Sequence, residues 1–272
     1  MLSIIFGILT RIVSNSYLNV FQKLLTNNGE KPSIINFYTY LGLSILSIIA
    51  IPYLEFNLII LKNVIIMGVL GSLGNYFIIK ALSCGELSLL APINSYKPVV
   101  ALILGIFLLQ EIPTSNDIIG ILLIIIGTFL LNNSKFIFSK ACNYRILALL
   151  FSGTEALFIK KVILLSNITS AFVYWAAAGL IFSTFAVFKY PLKLKTKNIK
   201  PQLILILMVA LMQYSTNFVF SKINVSHALA LFQLSTILSV FLGINIFKEK
   251  GLTRKLIASL IMLIGAVILI LR

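Results

Sequence analysis

Two ionisable side chains sit where charge is costly. Lys97 is the tenth residue of a 22-residue apolar run at 88–109, and Glu155 lies in the middle of another at 144–164. The other six acids, Glu30, Glu55, Glu86, Glu111, Asp117 and Glu249, fall between runs or at their ends. An ionised group at the centre of a hydrocarbon layer costs at least about 2.5–3.5 kcal/mol on insertion scales, so it is kept for a partner or a task. An ammonium there suits recognition of a carboxylate or another anion. A lone carboxyl there suits proton uptake, since burial favours its neutral form and a nearby cation its charged form. Two readings of the pair stay open: a structural Lys97–Glu155 ion pair, or contact of either with a bound solute. Pro98 follows Lys97 and weakens the helix ladder beside it, freeing backbone carbonyls.

Neutral polar residues recur around these charges at helical spacing. Arg11, Asn15, Asn19 and Gln22 form one stripe; Asn94 shares a face with Lys97, with Ser95 and Tyr96 beside it. Further runs carry Tyr76, Lys80 and Ser83; Ser152 with Glu155; Gln213, Tyr214, Asn217 and Ser221; and Gln233, Thr236 and Ser239. Each is either interhelical hydrogen-bonding glue, worth about 0.6 kcal/mol, or part of a polar cavity. Taken together they point to a cavity. The candidate solute-binding set is Lys97, Asn94, Tyr96, Asn15, Asn19 and Tyr76 from the first half, with Glu155, Tyr214, Asn217, Gln233 and Thr236 from the second. Glu155 is also the candidate coupling residue. Arg11, a third of the way into its run, is also placed to snorkel to headgroups.

Other chemistries lack their parts. His227 is the single histidine, and Cys84 and Cys142 fit no disulfide framework and no metal spacing. No Gly-rich phosphate loop, G-x-S-x-G or H-E-x-x-H occurs. Glu155 has no second central carboxylate for acid–base work. The sequence therefore implies no enzyme, no cofactor and no metal.

The elements that must position these residues are membrane-spanning helices. The chain has 272 residues, 60% of them hydrophobic, with mean hydropathy +1.07. A soluble domain is about 45–50% apolar. The net charge of +15 sits mostly between apolar runs, where lysines meet lipid headgroups and water rather than nucleic acid. Ten runs reach the length of a span: 2–25, 34–53, 63–83, 88–109, 115–132, 144–164, 170–188, 202–221, 226–247 and 254–272. Arg11 interrupts the first, and no cleavage site follows it, so it reads as a span and not a signal. Pro113 after Glu111 and Ile112 stops the fourth run, and Thr114 with Asp117 forms a capping box for the fifth. Gly68, Gly71 and Gly74 give the third a smooth strip for another helix. The fifth and tenth runs are almost bare of polar groups and read as peripheral scaffold.

The chain also repeats itself. At an offset of 138 residues, Gly105 falls on Gly243, Glu111 on Glu249, Gly127 on Gly265, Tyr76 on Tyr214, Ser83 on Ser221 and Ser88 on Ser226. Five spans is an odd number, so the second copy enters the membrane from the opposite side. Inverted repeats are the usual ground plan of secondary transporters, which rock two halves about one midplane site. The two copies read as residues 1–137 and 138–272. A positive-inside count of loop lysines, including the run Lys189, Lys193, Lys195, Lys197 and Lys200, places both termini outside.

The stretch from Ala81 through Gly85, Glu86 and Ala91-Pro92 to Gly105, Glu111, Gly120 and Gly127 resembles the EamA-type repeat of the drug/metabolite transporter superfamily. The second copy keeps Gly243, Glu249 and Gly265 but has Leu229-Ala230 in place of Ala91-Pro92. The resemblance implies an all-α membrane protein of ten helices, with a central cavity between two inverted halves. It implies a metabolite or drug carrier in the cytoplasmic (inner) cell membrane. The expected partners are a small-molecule metabolite and membrane lipids, with the chain a monomer or homodimer. It also implies cytoplasmic termini, against the lysine count. The alternative of another class is a flippase for a lipid headgroup or lipid-linked substrate.

Overall fold

The structure is a computed structural model that describes residues 2–56, 58–108, 114–131, 139–188, 194–249 and 252–268. Every regular element in those residues is helical. The helices are α1 (Leu2–Asn27), α2 (Pro32–Ser47), α3 (Leu58–Cys84), α4 (Leu87–Leu90), α5 (Lys97–Leu108), α6 (Ser115–Leu131), α7 (Lys140–Leu165), α8 (Ile168–Val187), α9 (Ile199–Lys222), α10 (Val225–Phe232), α11 (Leu234–Phe247) and α12 (Leu252–Ile268). The 3₁₀ turns Ile48–Tyr53 and Pro92–Tyr96 extend α2 and join α4 to α5.

Among the described residues, seven stretches are long and apolar enough to cross a bilayer: Leu2–Asn27, Pro32–Tyr53, Leu58–Cys84, Leu87–Phe107, Ile168–Val187, Thr196–Lys222 and Val225–Phe247. Three of the ten expected runs are not among them. Helices α6 and α12 have 17 described residues each. Helix α7 has 26 residues, but Lys140, Arg145, Glu155, Lys160 and Lys161 interrupt its apolar run. The exterior is apolar: Phe6, Ile49, Phe107 and Phe185 are exposed, while Asn36, Gln22, Ser88 and Asn217 are buried. That inverts the pattern of a water-facing globule.

Local chemistry sets the element ends. Gly29, at φ +85°, closes α1, and Glu30 N donates to the Leu25 carbonyl at 3.1 Å, a Schellman end. Pro32 opens α2. Ser139 and Asn167 cap α7 and α8 by accepting from Cys142 N and Ser170 N. The expected stop at Glu111, Ile112 and Pro113 lies outside the described residues, as does the side chain of Asp117.

Helix packing follows the repeat. Helix α1 packs on α9 and α3 on α7, and these two pairs exchange when the copies are exchanged. The pairs α2–α8 and α6–α12 each map onto themselves. The glycine strip on α3 makes the central contact. A Cβ on Gly68 would collide with Ala178 of α8, one on Gly71 with the Glu155 carboxylate, and one on Gly74 would sit 3.3 Å from Ser152 of α7. Helices α6 and α12 meet at Gly127 and Met262, away from the centre.

Candidate functional site

The run from Leu87 to Leu108 does not form one helix. Pro92 and Pro98 lack an N–H, so the carbonyls of Ser88 and Asn94 lose their α-helical donors. The chain answers with the 3₁₀ turn Pro92–Tyr96, in which Asn94 N bonds Ala91 O at 3.0 Å. The Leu90 carbonyl, which Asn94 N would have taken, accepts instead from Arg145 Nε at 3.1 Å. The second copy breaks at the matching register, between α10 and α11. There Gln233 N bonds Ala230 O, and the Gln233 side chain supplies Leu229 O with a donor at 2.8 Å.

Both breaks border one polar cavity of about 80 Å³ in the middle of the bundle. Arg11, Asn15 and Asn19 of α1 line it, with Asn75 of α3, Asn94, and Lys97 at the start of α5. Arg145, Ser152 and Glu155 of α7 face them, with Tyr40, Trp175, Gln213 and Thr216. Arg11 Nε donates to Thr216 Oγ1 at 2.8 Å, and its guanidinium lies 4.9 Å over the Phe232 ring. Arg11 Nη1 is buried with no partner among the described residues. Asn15 Nδ2 donates to Ser235 Oγ at 3.0 Å, at the second break. Gln22 continues the α1 stripe by donating to Asn75 at 2.9 Å, which in turn donates to Asn36 at 2.6 Å. Trp175 Nε1 donates to Glu155. Among the described residues Lys97 and Glu155 form no ion pair within 4.0 Å. The Glu155 carboxylate is held by Trp175, while Lys97 keeps some accessible surface in the cavity.

Of the sequence-predicted residues, Asn15, Asn19, Asn94, Lys97 and Glu155 meet here. The others lie elsewhere. Tyr96 packs with Leu102, Ala230, Ala258 and Met262. Tyr76 sits beside Phe77 and under Lys80, whose ammonium is 5.4 Å from its ring. Tyr214 is 47% exposed and lines an apolar outer groove with Phe6, Gly7 and Phe172. Asn217 is fully buried against Gln213, at 2.9 Å. Gln233 serves the helix break, and the buried Thr236 hydroxyl has no partner among the described residues. Sequence reasoning missed Arg145, Tyr40, Asn75 and Trp175 as cavity residues. The signal for Arg145 was present: residues 145, 152 and 155 repeat at helical spacing on one face of α7.

One end of the bundle is tied by a second polar cluster, one turn beyond Asn19. Lys23 Nζ bonds Glu249 at 3.0 Å and the Gly85 carbonyl at 2.7 Å. Glu249 also accepts from Leu87 N and Ser88 N, each at 2.8 Å, at the start of α4. Burial alone would raise the Glu249 carboxyl, but the bonds from Ser88 and Lys23 outweigh it and hold it below its ordinary value. Lys255 adds a bridge to Glu86 at 2.7 Å and a bond to Ser88 Oγ at 2.6 Å. A Cβ on Gly243 would lie 3.0 Å from Ser88 N and 2.9 Å from Glu249 Oε2, so a glycine leaves room for this junction.

The sequence matches the EamA-like transporter family over residues 2–133 and again over 140–271. The chain belongs to the EamA-like transporter family. It is thus a multi-pass membrane transporter of two EamA repeats, and the family points away from an enzyme. An uncharacterized protein of Methanocaldococcus jannaschii is 40% identical over 76 residues, 28% of this chain. The match spans only 56% of that relative's length. A crystal structure superposes with TM-score 0.73, covering 98% of this chain and 96% of that one at 14% identity, which shows the fold alone.

Proposed function

We propose that this EamA-like protein is a secondary-active carrier of a small polar metabolite, an exporter or exchanger working by alternating access in the cytoplasmic membrane. In this reading ten helices cross the bilayer as two inverted halves, 1–137 and 138–272. Helices α6, α7 and α12 complete the set. One observation carries the reading: a buried polar cavity lies where both copies break a helix, with the Lys97 ammonium beside it held in no ion pair among the described residues. Broken helices at a repeat interface are where carriers hold substrate.

The moving parts follow. Lys97 and Asn94, Asn15 and Asn19, and Glu155 contact the solute, and Glu155 takes up the coupling proton. The Lys23–Glu249–Ser88 cluster is the closed gate at one end, because it joins α1 and the α11–α12 junction of opposite halves to the start of α4. Opening that end requires these bonds to part. Gly105 and Gly243 occupy equivalent positions in the two copies, and the small residue at Gly243 lets α11 approach the start of α4 closely.

A lipid-headgroup flippase is not favoured. The lateral groove beside Tyr214 is apolar, and the charges lie inside the bundle. Purified protein in liposomes tests the reading. Saturable movement of water-soluble polar solutes supports a carrier, whereas movement of headgroup-labelled lipid alone overturns it.

A further inference from the structure

Three cations face the cavity from three helices: Arg11 of α1, Lys97 of α5 and Arg145 of α7. Glu155 is the single carboxylate lining it among the described residues. Arg11 and Arg145 are only 5% and 6% exposed. Their protein partners are neutral: a hydroxyl for Arg11 and a backbone carbonyl for Arg145. Lys97 makes no hydrogen bond or ion pair among the described residues. The formal balance is therefore two positive charges in excess. Buried charge without a counter-charge is expensive, and a missing partner is supplied by whatever binds there. Two further groups ask for oxygen acceptors. Arg11 Nη1 and the Tyr40 hydroxyl are both buried, both on the cavity, and both without a partner among the described residues.

We propose that the solute is a compact dianion, bearing two carboxylates or a phosphate, whose oxygens bridge Arg11, Lys97 and Arg145. Guanidinium groups suit such planar or tetrahedral oxyanions because their donors are fixed in a fork. Glu155, held by Trp175, keeps the count at two and disfavours a trianion. The proposal rests on the carrier reading and adds a consequence to it. With solute bound, the occluded cavity is balanced; empty, it holds two uncompensated charges. Reorientation of the empty carrier is the slower step, so exchange of one dianion for another outpaces net movement.

The test is counterflow by the full-length protein in liposomes, with labelled succinate in one arm and labelled phosphate in the other. Unlabelled butyrate, alanine and a diamine compete at equal concentration. The expected result is trans-stimulated exchange in at least one arm, displaced by dianions and not by the three competitors. Lys97→Gln, which leaves an excess of one, should lose about tenfold or more in dianion affinity and shift its preference toward butyrate. Arg145→Gln should shift the same way. Thermal unfolding supplies a second readout: dianions should raise the unfolding temperature of the wild-type protein and not of Lys97→Gln. Exchange of alanine or the diamine without dianion competition overturns the dianion but leaves the carrier standing. Absence of both exchange and thermal stabilisation by either dianion also overturns it. Lipid movement with no solute exchange overturns the carrier reading as well.

Discussion

Replacing Glu249 by Gln should open the end of the bundle that it ties. The side chain keeps its size, but the charge is lost and one of two acceptor oxygens becomes an NH₂ group. Glu249 holds three donors: Leu87 N, Ser88 N and Lys23 Nζ. Hydrogen bonds to a charged group contribute about 1.5–3 kcal/mol each. One is lost outright and the remainder become neutral or charge–dipole bonds. Water reaching the partly accessible Lys23 offsets some of this, leaving about 2–3 kcal/mol. That moves the equilibrium between closed and open forms of this end by roughly 30- to 150-fold. The assay is thiol labelling of Asn94→Cys by a membrane-impermeant reagent, with Cys84 and Cys142 replaced by Ser. Labelling from the Glu249 side should accelerate in Glu249→Gln, and labelling from the other side should not. Unchanged labelling from the Glu249 side would refute the gate. The pH dependence has a definite sign. Because the folded carboxyl lies below its ordinary value, the gate is fully made above the usual glutamate pKa of about 4.3. It weakens only as pH falls through the lowered folded value. Wild-type labelling should therefore be flat around neutrality and rise in acid.

Other substitutions separate binding from coupling. Lys97→Ala should abolish exchange of the wild-type solute while the protein remains folded, and Lys97→Arg should rescue poorly because a planar fork places its donors differently; solute flux and size-exclusion profiles check this. Glu155→Gln should retain binding and exchange but lose pH-dependent accumulation, so a wild-type pH profile of accumulation in this variant would assign coupling to another residue. Gly71→Ala should press a methyl group against the Glu155 carboxylate and cost about 1–3 kcal/mol, read as a lower unfolding temperature.

Much of the site was legible because the helical period reveals which residues share a face. The stripe of Arg11, Asn15 and Asn19 faces the cavity as a unit, and Pro98 announced the break beside Lys97. Period alone does not fix where a face points. Tyr76, Tyr96 and Tyr214 lie on polar-looking faces, yet their amphipathic rings pack against apolar neighbours away from the cavity. Arg145 sits near the start of α7, where position in the run alone does not mark it as a cavity residue. It points inward because the broken fourth run offers it the Leu90 carbonyl, a bond between residues 55 apart in the chain. The Glu249 cluster was half visible. The match of Glu111 to Glu249 marked the position, but its partners Lys23 and Ser88 come from the other copy.

Counterflow tests the central claim most directly. Liposomes holding the purified protein and an excess of unlabelled small polar anion are placed in dilute labelled solute. A carrier that alternates around one cavity should accumulate label transiently above equilibrium, saturably, and should lose this in Lys97→Ala. Label that only equilibrates, at a rate indifferent to the trapped solute and to Lys97, would contradict the account.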